Sequence, residues 1–350
     1  MSGRLQTMRT ARPAVGSAEA AELAHRHFGV QGTASALDSE RDRNFRIDAS
    51  DGRRYTLKIW NHSQDAEAIE FIAAMLDGLQ AAPQAPPTPG LCRTRDGALL
   101  ADHTTGDGKR HRVCLMTWLD GIFLRDVASS PAVLESLGSA LARLDRALAH
   151  ISSPAARREL VWDIRHVGRL GDMAQAIDSD DLRALILDSL DACTTRTLPR
   201  LAGLRTQVIH NDFNPDNVLL DAQDQRSVSG VIDFGDALEA PLVCELGVAC
   251  AYHLSGHGDP VRDLLPLISA YHAVYPLRAE ELELIPGLVG ARLLCSVLIT
   301  TRMAQLHPHN REYLMVDTRA AGRCLAQLDT AGVEESGRRL RAACMDDASG

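Results

Sequence analysis

The chain has 350 residues, of which 45% are hydrophobic, and a formal net charge of -9 at pH 7. That length and apolar content allow a large buried core and about two domains. The acidic balance excludes the dominant basic face that nucleic acids and anionic membranes require, so we expect a small molecule as the partner, with no nucleic acid and no membrane.

The chain begins with residues 1–17, which are basic, contain no acidic residue and lack the apolar segment of a secretory signal. We interpret them as a disordered leader. No apolar run approaches the roughly 18 residues that span a bilayer, which predicts a soluble, cytoplasmic protein. The eight cysteines are scattered through apolar stretches without a CxxC pair, which indicates reduced thiols in the core.

Residues 18–118 have the pattern of an N-terminal lobe. Helical spacing covers 18–28 and 66–79, and strand-like stretches cover 34–37, 44–48, 55–60, 97–100 and 112–118. These strands indicate a small antiparallel sheet.

Of the 37 Lys and Arg residues only two are lysine, Lys58 and Lys109. A lysine retained inside the apolar strand 55–60 therefore calls for a specific role.

From residue 119 to residue 350 the pattern is mainly helical, and we interpret Asp120-Gly121 as a hinge between two lobes. Predicted helices cover 131–150, 182–198, 243–253, 260–275 and 279–307. Short strand-like stretches cover 207–209 and 218–220, which we expect to pair, and 228–232. The fold class is therefore α+β, with a small antiparallel-sheet N-lobe and a mainly helical C-lobe.

The strongest functional signal is a polar loop between two of those strands, in which His210, Asp212 and Asn217 form an H-x-D-x4-N run. A second carboxylate, Asp233, follows the next strand in the run Ile-Asp-Phe-Gly. Phosphoryl transfer to a hydroxyl requires a base beside the acceptor and a hard cation on the phosphates, and magnesium prefers oxygen ligands. Two aspartates and one asparagine at this spacing supply such groups.

These motifs resemble the aminoglycoside phosphotransferase and choline kinase superfamily, which shares the two-lobed protein-kinase fold. The wider wording, HNDFNPDNVLL and GVIDFGDALEAPLVCEL, is most similar to the hydroxylysine kinase branch, whose members phosphorylate the side-chain hydroxyl of an amino acid. The resemblance implies that Asp212 is the catalytic base and that Asn217 and Asp233 ligate Mg2+. It also implies that His210 braces the catalytic loop and that ATP or GTP is the phosphoryl donor.

The resemblance assigns phosphate binding to the N-lobe. Lys58 would contact the nucleotide phosphates, because a compact point charge suits them and a surface cation of this chain would normally be arginine. A helix carboxylate should orient that lysine, and the pattern favours Glu70 over Glu67. The alternative for Lys58 is an ordinary solvated strand lysine.

Two further segments are candidates for nucleotide contacts. The loop 38–44 contains no glycine, so Ser39 and backbone amides are its candidate phosphate contacts, and a plain solvated loop fits equally well. The stretch 115–119, with Met116 and Trp118, would meet the purine through its backbone, with its side chains as pocket walls. This segment does not distinguish ATP from GTP.

The acceptor site is predicted around the end of the motif. An acceptor that carries an amine needs nearby carboxylates, and Asp236 and Glu239 closely follow the second metal-binding aspartate. Trp162 and Asp163 resemble a recurrent Trp-Asp pair of this branch and could form a pocket wall, while Arg165 could bind an acceptor carboxylate. Trp162 could equally anchor a helix.

The leading hypothesis is thus a kinase that phosphorylates an amino acid or amino alcohol. An aminoglycoside or homoserine acceptor is the alternative within this class, and a large acidic cleft would indicate an aminoglycoside. The alternative from another class is a pseudokinase or binding module. Such proteins usually lack the lysine, the base or a metal ligand, and all of these are present here. Protein-kinase activity is disfavoured because no Ala-Pro-Glu segment follows the second motif.

Overall fold

The structure is a computed structural model that describes residues 10–39, 41–306 and 311–346, the side chains of 311–317 and 346 excepted. It has two lobes, an N-terminal part built on an antiparallel sheet and a mainly helical C-terminal part. The predicted α+β class is therefore confirmed. Periodicity was sufficient for this result because the sheet strands alternate and the helices carry apolar faces.

The N-terminal sheet has six antiparallel strands. They are β1 (Gly32–Leu37), β2 (Arg43–Ala49), β3 (Arg54–Ile59), β4 (Leu91–Cys92), β5 (Ala101–Thr104) and β6 (Arg110–Thr117). Strands β1, β2, β3, β6 and β4 follow one another across the sheet, and β5 also pairs with β6. Because successive side chains point to opposite faces, β3 directs Leu57 to one face and Lys58, opposite Cys114, to the other.

The two faces of this sheet belong to different parts of the core. Helix α1 (Ser17–Phe28) covers one face, where Leu23 and Leu57 are buried in a small separate cluster. Helix α2 (Ala66–Leu79) belongs instead to the main core, together with Cys114 from the opposite face. The main core continues into the C-lobe, so apolar packing as well as the chain connects the lobes.

Part of the predicted leader packs against the N-lobe. Val15 is 3% exposed and lies in the cluster under α1. The Ala11 carbonyl accepts a hydrogen bond from the Asn61 side chain at 2.9 Å. Residues 10–16 are therefore ordered, unlike the expected disordered leader, because an apolar side chain in this stretch finds a core to enter. Residues 1–9 lie outside the described residues.

The C-lobe is built on a long central helix. Its helices are α3 (Pro131–Leu148), α4 (Asp180–Ala192), α5 (Val243–Cys250), α6 (Pro260–Val274), α7 (Ala279–Leu306), α8 (Arg311–Ala331) and α9 (Val333–Asp346). Helix α7 is long and apolar enough to span a membrane by composition, yet 83% of its most apolar window is buried inside the protein. The expectation that no such apolar run exists was wrong, and in this fold the run forms the core helix.

One helix prediction extends too far. The stretch 182–198 is α4 followed by a π-helical turn at Cys193–Thr197 and a 3-10 turn at Leu198–Leu201. Pro199 lies at the start of that last turn, where a missing N–H is tolerated. A 3-10 segment at Ile164–Ala176 was not predicted.

The C-lobe strands pair differently from the sequence prediction. They are β7 (Ile122–Phe123), β8 (Thr206–Ile209), β9 (Val218–Leu220), β10 (Val228–Val231) and β11 (Leu238–Pro241). Strand β9 pairs with β10 and β7, whereas β8 pairs with β11 and not with β9.

One strand prediction in the N-lobe was wrong. The stretch 97–100 is a turn, because Gly97 has φ +89° and its N–H donates back to the Thr94 carbonyl.

Candidate active site

The loop between β8 and β9 begins with a backbone in an uncommon conformation. Asn211 has φ +65°, and its N–H donates to Glu245 Oε2 at 3.0 Å. Glu245 lies on α5 and is completely buried. Burial raises the pKa of Glu245, while His210 and the backbone N–H donors oppose that rise. The buried carboxylate thus fixes the turn that directly precedes Asp212.

His210 connects this loop to the strand beside it through both ring nitrogens. Nε2 lies 3.0 Å from the Ile232 carbonyl oxygen, and Nδ1 lies 3.2 Å from the Asp212 backbone nitrogen. The first contact needs a proton on Nε2 and the second needs a lone pair on Nδ1, so the network assigns the neutral tautomer. The ring also packs edge-on against Phe234, with the centroids 4.6 Å apart. This is a bracing geometry.

The Asp212 carboxylate is held from two sides. Its Oδ2 accepts from Asn217 Nδ2 at 2.8 Å, and its Oδ1 accepts from Arg292 Nη2 at 2.8 Å. The side chain retains 22% exposure, so a substrate can reach it. Burial raises the pKa of Asp212 to about 7; Arg292 opposes the rise and Asp236 adds to it. The arrangement holds the carboxylate in one orientation and brings its pKa close to neutral pH.

Asp233 lies next to Asn217, although the two are far apart in the motif. The Ile232 N–H donates to the Asn217 carbonyl at 2.9 Å, which joins the two segments. Asp233 has φ +56°, and its Oδ1 lies 3.3 Å from the Gly235 nitrogen and 3.4 Å from Lys58 Nζ. The charge of Lys58 lowers the pKa of Asp233. The side chain is 52% exposed, so it can bind a ligand.

Lys58 reaches this place from β3, but with different partners from those predicted. Its Nζ lies 3.3 Å from Asp42 Oδ2 and 3.4 Å from Asp233 Oδ1. Burial alone would lower the pKa of Lys58, but the two carboxylates reverse the effect and raise it. Glu70 accepts a hydrogen bond from Arg112 instead. The predicted Lys58–Glu70 pair is therefore wrong, because an arginine on β6 competes for that glutamate.

Asp42 lies in the loop between β1 and β2, and its carboxylate is fixed by two residues that follow β3. It is 8% exposed and accepts from the Asn61 N–H at 2.9 Å and from Gln64 Nε2 at 2.7 Å. The Ser39 hydroxyl donates to the Asp42 carbonyl at 2.6 Å. The Asp42 carboxylate is thus fixed by hydrogen bonds, and the Ser39 hydroxyl is engaged with the Asp42 carbonyl rather than directed at a phosphate.

The segment expected to meet the purine lies at the end of β6. Met116 is 9% exposed. The Thr117 N–H donates to the Gly90 carbonyl at 2.8 Å, and the Trp118 N–H donates to the Arg54 carbonyl at 3.2 Å. These N–H groups are already used within the N-lobe. The segment can therefore offer a purine the walls formed by Met116 and Trp118 more readily than these backbone donors.

Of the predicted acceptor carboxylates, Asp236 is better placed than Glu239. Asp236 ends the 3-10 turn Phe234–Asp236, and its charge acts on the pKa of Asp212. Glu239 lies on β11, is 26% exposed and accepts from Arg157 Nε at 3.0 Å. The charge of Asp236 thus acts on Asp212, whereas the charge of Glu239 is balanced by Arg157.

The Trp-Asp pair and Arg165 separate into two roles. Asp163 is 1% exposed, caps the segment Ile164–Ala176, and accepts from Arg165 Nη2 at 2.7 Å. Because Arg165 is already paired with this buried carboxylate, the prediction that it binds an acceptor carboxylate is not supported. Trp162 does reach the site, because the Arg292 guanidinium lies 4.8 Å from its ring centroid.

Three further residues lie at the site and were not predicted from the sequence: Arg292, Tyr252 and Asp42. Arg292 is 3% exposed on α7 and contacts Asp212 directly, and Tyr252 accepts from it at 2.7 Å. A signal for Arg292 was present, since it is a charged residue within the apolar run GLVGARLLCSV. Such a residue requires a partner when buried. Asp42 gave no comparable signal, because its loop is rich in both charges.

Comparison with known proteins gives a consistent family. The model of the APH phosphotransferase enzyme family matches residues 33–282. The hydroxylysine kinase of Mus musculus is 29% identical over 346 residues, which cover 92% of each chain. The homoserine kinase of Methylobacillus flagellatus is 27% identical over 265 residues, covering 74% of this chain and 75% of that one.

A solved structure shares the complete fold. The microcompartment-associated aminopropanol kinase superposes with a TM-score of 0.70 at 21% identity, covering 91% of this chain and 98% of its own. At that identity the likeness concerns the fold alone. Both lobes therefore belong to one known architecture.

Proposed function

The chain belongs to the APH family of phosphotransferase enzymes, and we propose that it is a small-molecule kinase. It transfers the γ-phosphoryl group of ATP or GTP to the hydroxyl of an amino acid or amino alcohol, with a hydroxylysine-like acceptor favoured. One observation carries the proposal: the fold joins Asp212, Asn217, Asp233 and Lys58. Asn217 Nδ2 lies 2.8 Å from Asp212 Oδ2, and Lys58 Nζ lies 3.4 Å from Asp233 Oδ1.

In the proposed reaction, Asp212 accepts the proton of the acceptor hydroxyl as that oxygen attacks the γ-phosphorus. A new oxygen–phosphorus bond forms while the bond to the bridging oxygen breaks, and the nucleoside diphosphate leaves with that electron pair. Lys58 places positive charge beside the phosphates. His210 and Glu245 keep the loop in position. A general base of this kind contributes about 10²–10⁴ in rate.

The residues of the site fit a magnesium ion. Asn217 donates to Asp212 through Nδ2, which leaves its Oδ1 as an oxygen ligand. Asp233 provides a carboxylate that is half exposed. Magnesium is typically bound by one or two such protein oxygens, with substrate phosphates and water as the remaining ligands. When bound, it would neutralise charge on the phosphoryl oxygens.

The choice of acceptor class is supported by charge and by the relatives. Asp236, whose charge acts on Asp212, would attract an ammonium group close to the catalytic base. A relative named for hydroxylysine matches over 92% of both chains, and an aminopropanol kinase shares the fold. Acceptors that carry both a hydroxyl and an amine are therefore favoured over large aminoglycosides.

The test is a nucleotide-consumption screen of the purified protein with magnesium. ATP and GTP are each combined with 5-hydroxylysine, homoserine, threonine, 1-amino-2-propanol, choline and kanamycin, and Asp212→Asn is the control. We expect turnover with hydroxylysine that the control lacks. Magnesium-dependent nucleotide binding without turnover of any acceptor would contradict the kinase proposal and favour the pseudokinase alternative.

Homoserine is the second candidate acceptor, on the strength of one observation. The homoserine kinase of Methylobacillus flagellatus also matches this chain, at 27% identity, although over 74% of the chain against 92% for the hydroxylysine kinase of Mus musculus. The same screen separates the two. A specificity constant for homoserine above that for hydroxylysine would assign the chain to the second activity.

A further inference from the structure

We propose that Arg292 is a positioning residue for the catalytic carboxylate, and that Tyr252 and Trp162 hold this arginine in place. The inference rests on the proposed function, because it assigns Asp212 the role of base. It adds a residue from helix α7 to a site that the motifs restrict to the loops after β8 and β10.

Arg292 is one of two hydrogen-bond donors that hold the Asp212 carboxylate, one on each oxygen. Its Nη2 lies 2.8 Å from Asp212 Oδ1, and Asn217 Nδ2 lies 2.8 Å from Oδ2 on the other side. A carboxylate with one donor on each oxygen cannot rotate about its last bond without losing both contacts. The proton-accepting lone pairs that remain are therefore aimed in a fixed direction, as a general base requires.

The arginine is itself fixed by two aromatic side chains. The Tyr252 hydroxyl accepts from Nη2 at 2.7 Å and from Nε at 3.2 Å. The guanidinium lies 4.8 Å from the Trp162 ring centroid and 5.7 Å from that of Tyr252. Stacking and a forked hydrogen bond suit a planar guanidinium and not a lysine ammonium. The side chain reaches Asp212 already ordered, so holding the base costs little further entropy.

The burial of this arginine is not explained by structure alone. Arg292 is 3% exposed, and its Nη1 has no hydrogen-bond partner among the described residues. An unpaired buried donor on a charged group is unfavourable, and a core position in an apolar helix could be filled by an apolar residue instead. Such a local cost is typical of functional sites. The charge of Arg292 also faces Asp212 among several neighbouring carboxylates.

The test uses three variants and one control. The control substitution lies on α7, the helix that carries Arg292. Arg292→Gln removes the charge, Arg292→Lys keeps the charge without the fork, and Tyr252→Phe removes only the hydroxyl that holds the arginine. Arg302→Gln is the control, because Arg302 donates to Gln305 in the same helix and lies about 15 Å further along α7 than Arg292. Each variant is assayed with 5-hydroxylysine and with 1-amino-2-propanol, which lacks a carboxylate.

We expect Arg292→Gln to lower kcat by about 10²-fold with both acceptors, because a misdirected base slows the chemical step without affecting substrate binding. The KM for nucleotide should stay at the wild-type value. Arg292→Lys should recover part of the loss, Tyr252→Phe should show a smaller one, and Arg302→Gln should show none. A loss confined to hydroxylysine would overturn the proposal, since it would mean that Arg292 binds the acceptor carboxylate.

A crystal structure of Arg292→Gln provides a readout that needs no acceptor turnover. We expect the Asp212 carboxylate to rotate away from its Asn217-bound position while the backbone of the loop stays in place. An Asp212 side chain in its original orientation would refute the positioning role, whatever the acceptor screen yields. Absence of turnover in the wild-type protein, by contrast, counts against the proposed function and not against this geometry.

Discussion

Asp212 is surrounded by groups with opposing effects. Burial raises its pKa, the charge of Arg292 lowers it, and the charges of Asp236 and Asp233 raise it again, with a result of about 7. A base is most effective when its pKa is close to the working pH. The hydrogen bond from Asn217 adds orientation at 2.8 Å. Arg292 and Asn217 thus fix the direction of the carboxylate, and the charge of Arg292 also takes part in setting its proton affinity.

Replacing Asp212 by asparagine tests the base directly. The change keeps the size of the side chain and an oxygen for one donor, but it removes the group that accepts the proton. We expect kcat to fall by about 10²–10⁴, with nucleotide affinity at the wild-type level in a binding titration. Full activity of Asp212→Asn would remove this residue from the role of base.

The carboxylate that orients Lys58 can be identified by a matched pair of substitutions. Asp42→Asn removes the charge 3.3 Å from Lys58 Nζ. We expect the KM for nucleotide to rise about tenfold, which corresponds to about 1.4 kcal/mol for one charged contact. Glu70→Gln is the control, because Glu70 contacts Arg112 and not Lys58. The opposite ranking of the two variants would restore Glu70 as the partner.

Among the secondary-structure elements, α3 and α6 make an unusually close contact. A Cβ added at Gly138 would lie 2.0 Å from the Leu267 carbonyl oxygen and 3.0 Å from the Tyr271 nitrogen. Backbone atoms cannot yield as a flexible side chain does, so the helices approach only because Gly138 has no side chain. Tyr271 on α6 meets Asp145 on α3 in the core of the C-lobe, where their side chains lie 2.7 Å apart.

A second matched pair tests that contact. Gly138→Ala should reduce the free energy of unfolding by about 1–3 kcal/mol, because α3 and α6 must separate. Gly290→Ala, on α7, should increase it by about 0.5–1 kcal/mol, since no atom of the described residues lies within 4 Å of the added carbon and alanine favours helix. Both are measured by denaturant unfolding. Equal effects of the two substitutions would contradict the packing argument.

At the scale of the whole molecule, a buried acid in the C-lobe core is expected to make the free energy of unfolding depend on pH. Asp145 is completely buried, and the Tyr271 hydroxyl donates to its Oδ2 at 2.7 Å. Burial raises the pKa of Asp145 well above its usual range, and the charge of Glu245 adds to that, while the tyrosine hydrogen bond and Arg205 oppose it. The folded state therefore binds this proton more tightly than the unfolded chain does.

This difference predicts a pH dependence of stability. The contribution of protonated Asp145 is fully present below the unfolded pKa of about 3.9 and is lost as the pH rises toward the folded pKa. Asp145→Asn cannot ionise and still accepts from Tyr271. We expect the free energy of unfolding of this variant, relative to wild type, to increase with pH above about 4. A difference that is constant with pH would mean that Asp145 ionises normally in the fold.

The sequence by itself determined the class of the fold, and it singled out four residues that the fold brings together, Lys58, Asp212, Asn217 and Asp233. Alternating strands and apolar helix faces are local patterns, and they predicted the positions of most helices and strands to within a few residues. The Asp212–Asn217 spacing is also local, because one loop between two short strands carries both groups. Lys58 was recognisable because lysine is so rare in this chain.

Only the tertiary structure decided which distant groups meet. Arg292 reaches Asp212 from a helix 80 positions further along the chain, and Asp42 reaches Lys58 from the position just before the neighbouring strand β2. The pairing of β8 with β11, and of Glu70 with Arg112, was likewise invisible in the sequence. Several partners of suitable charge or periodicity are present for each group. Which one lies within a few ångströms depends on how the lobes close and the helices pack, which no local pattern contains.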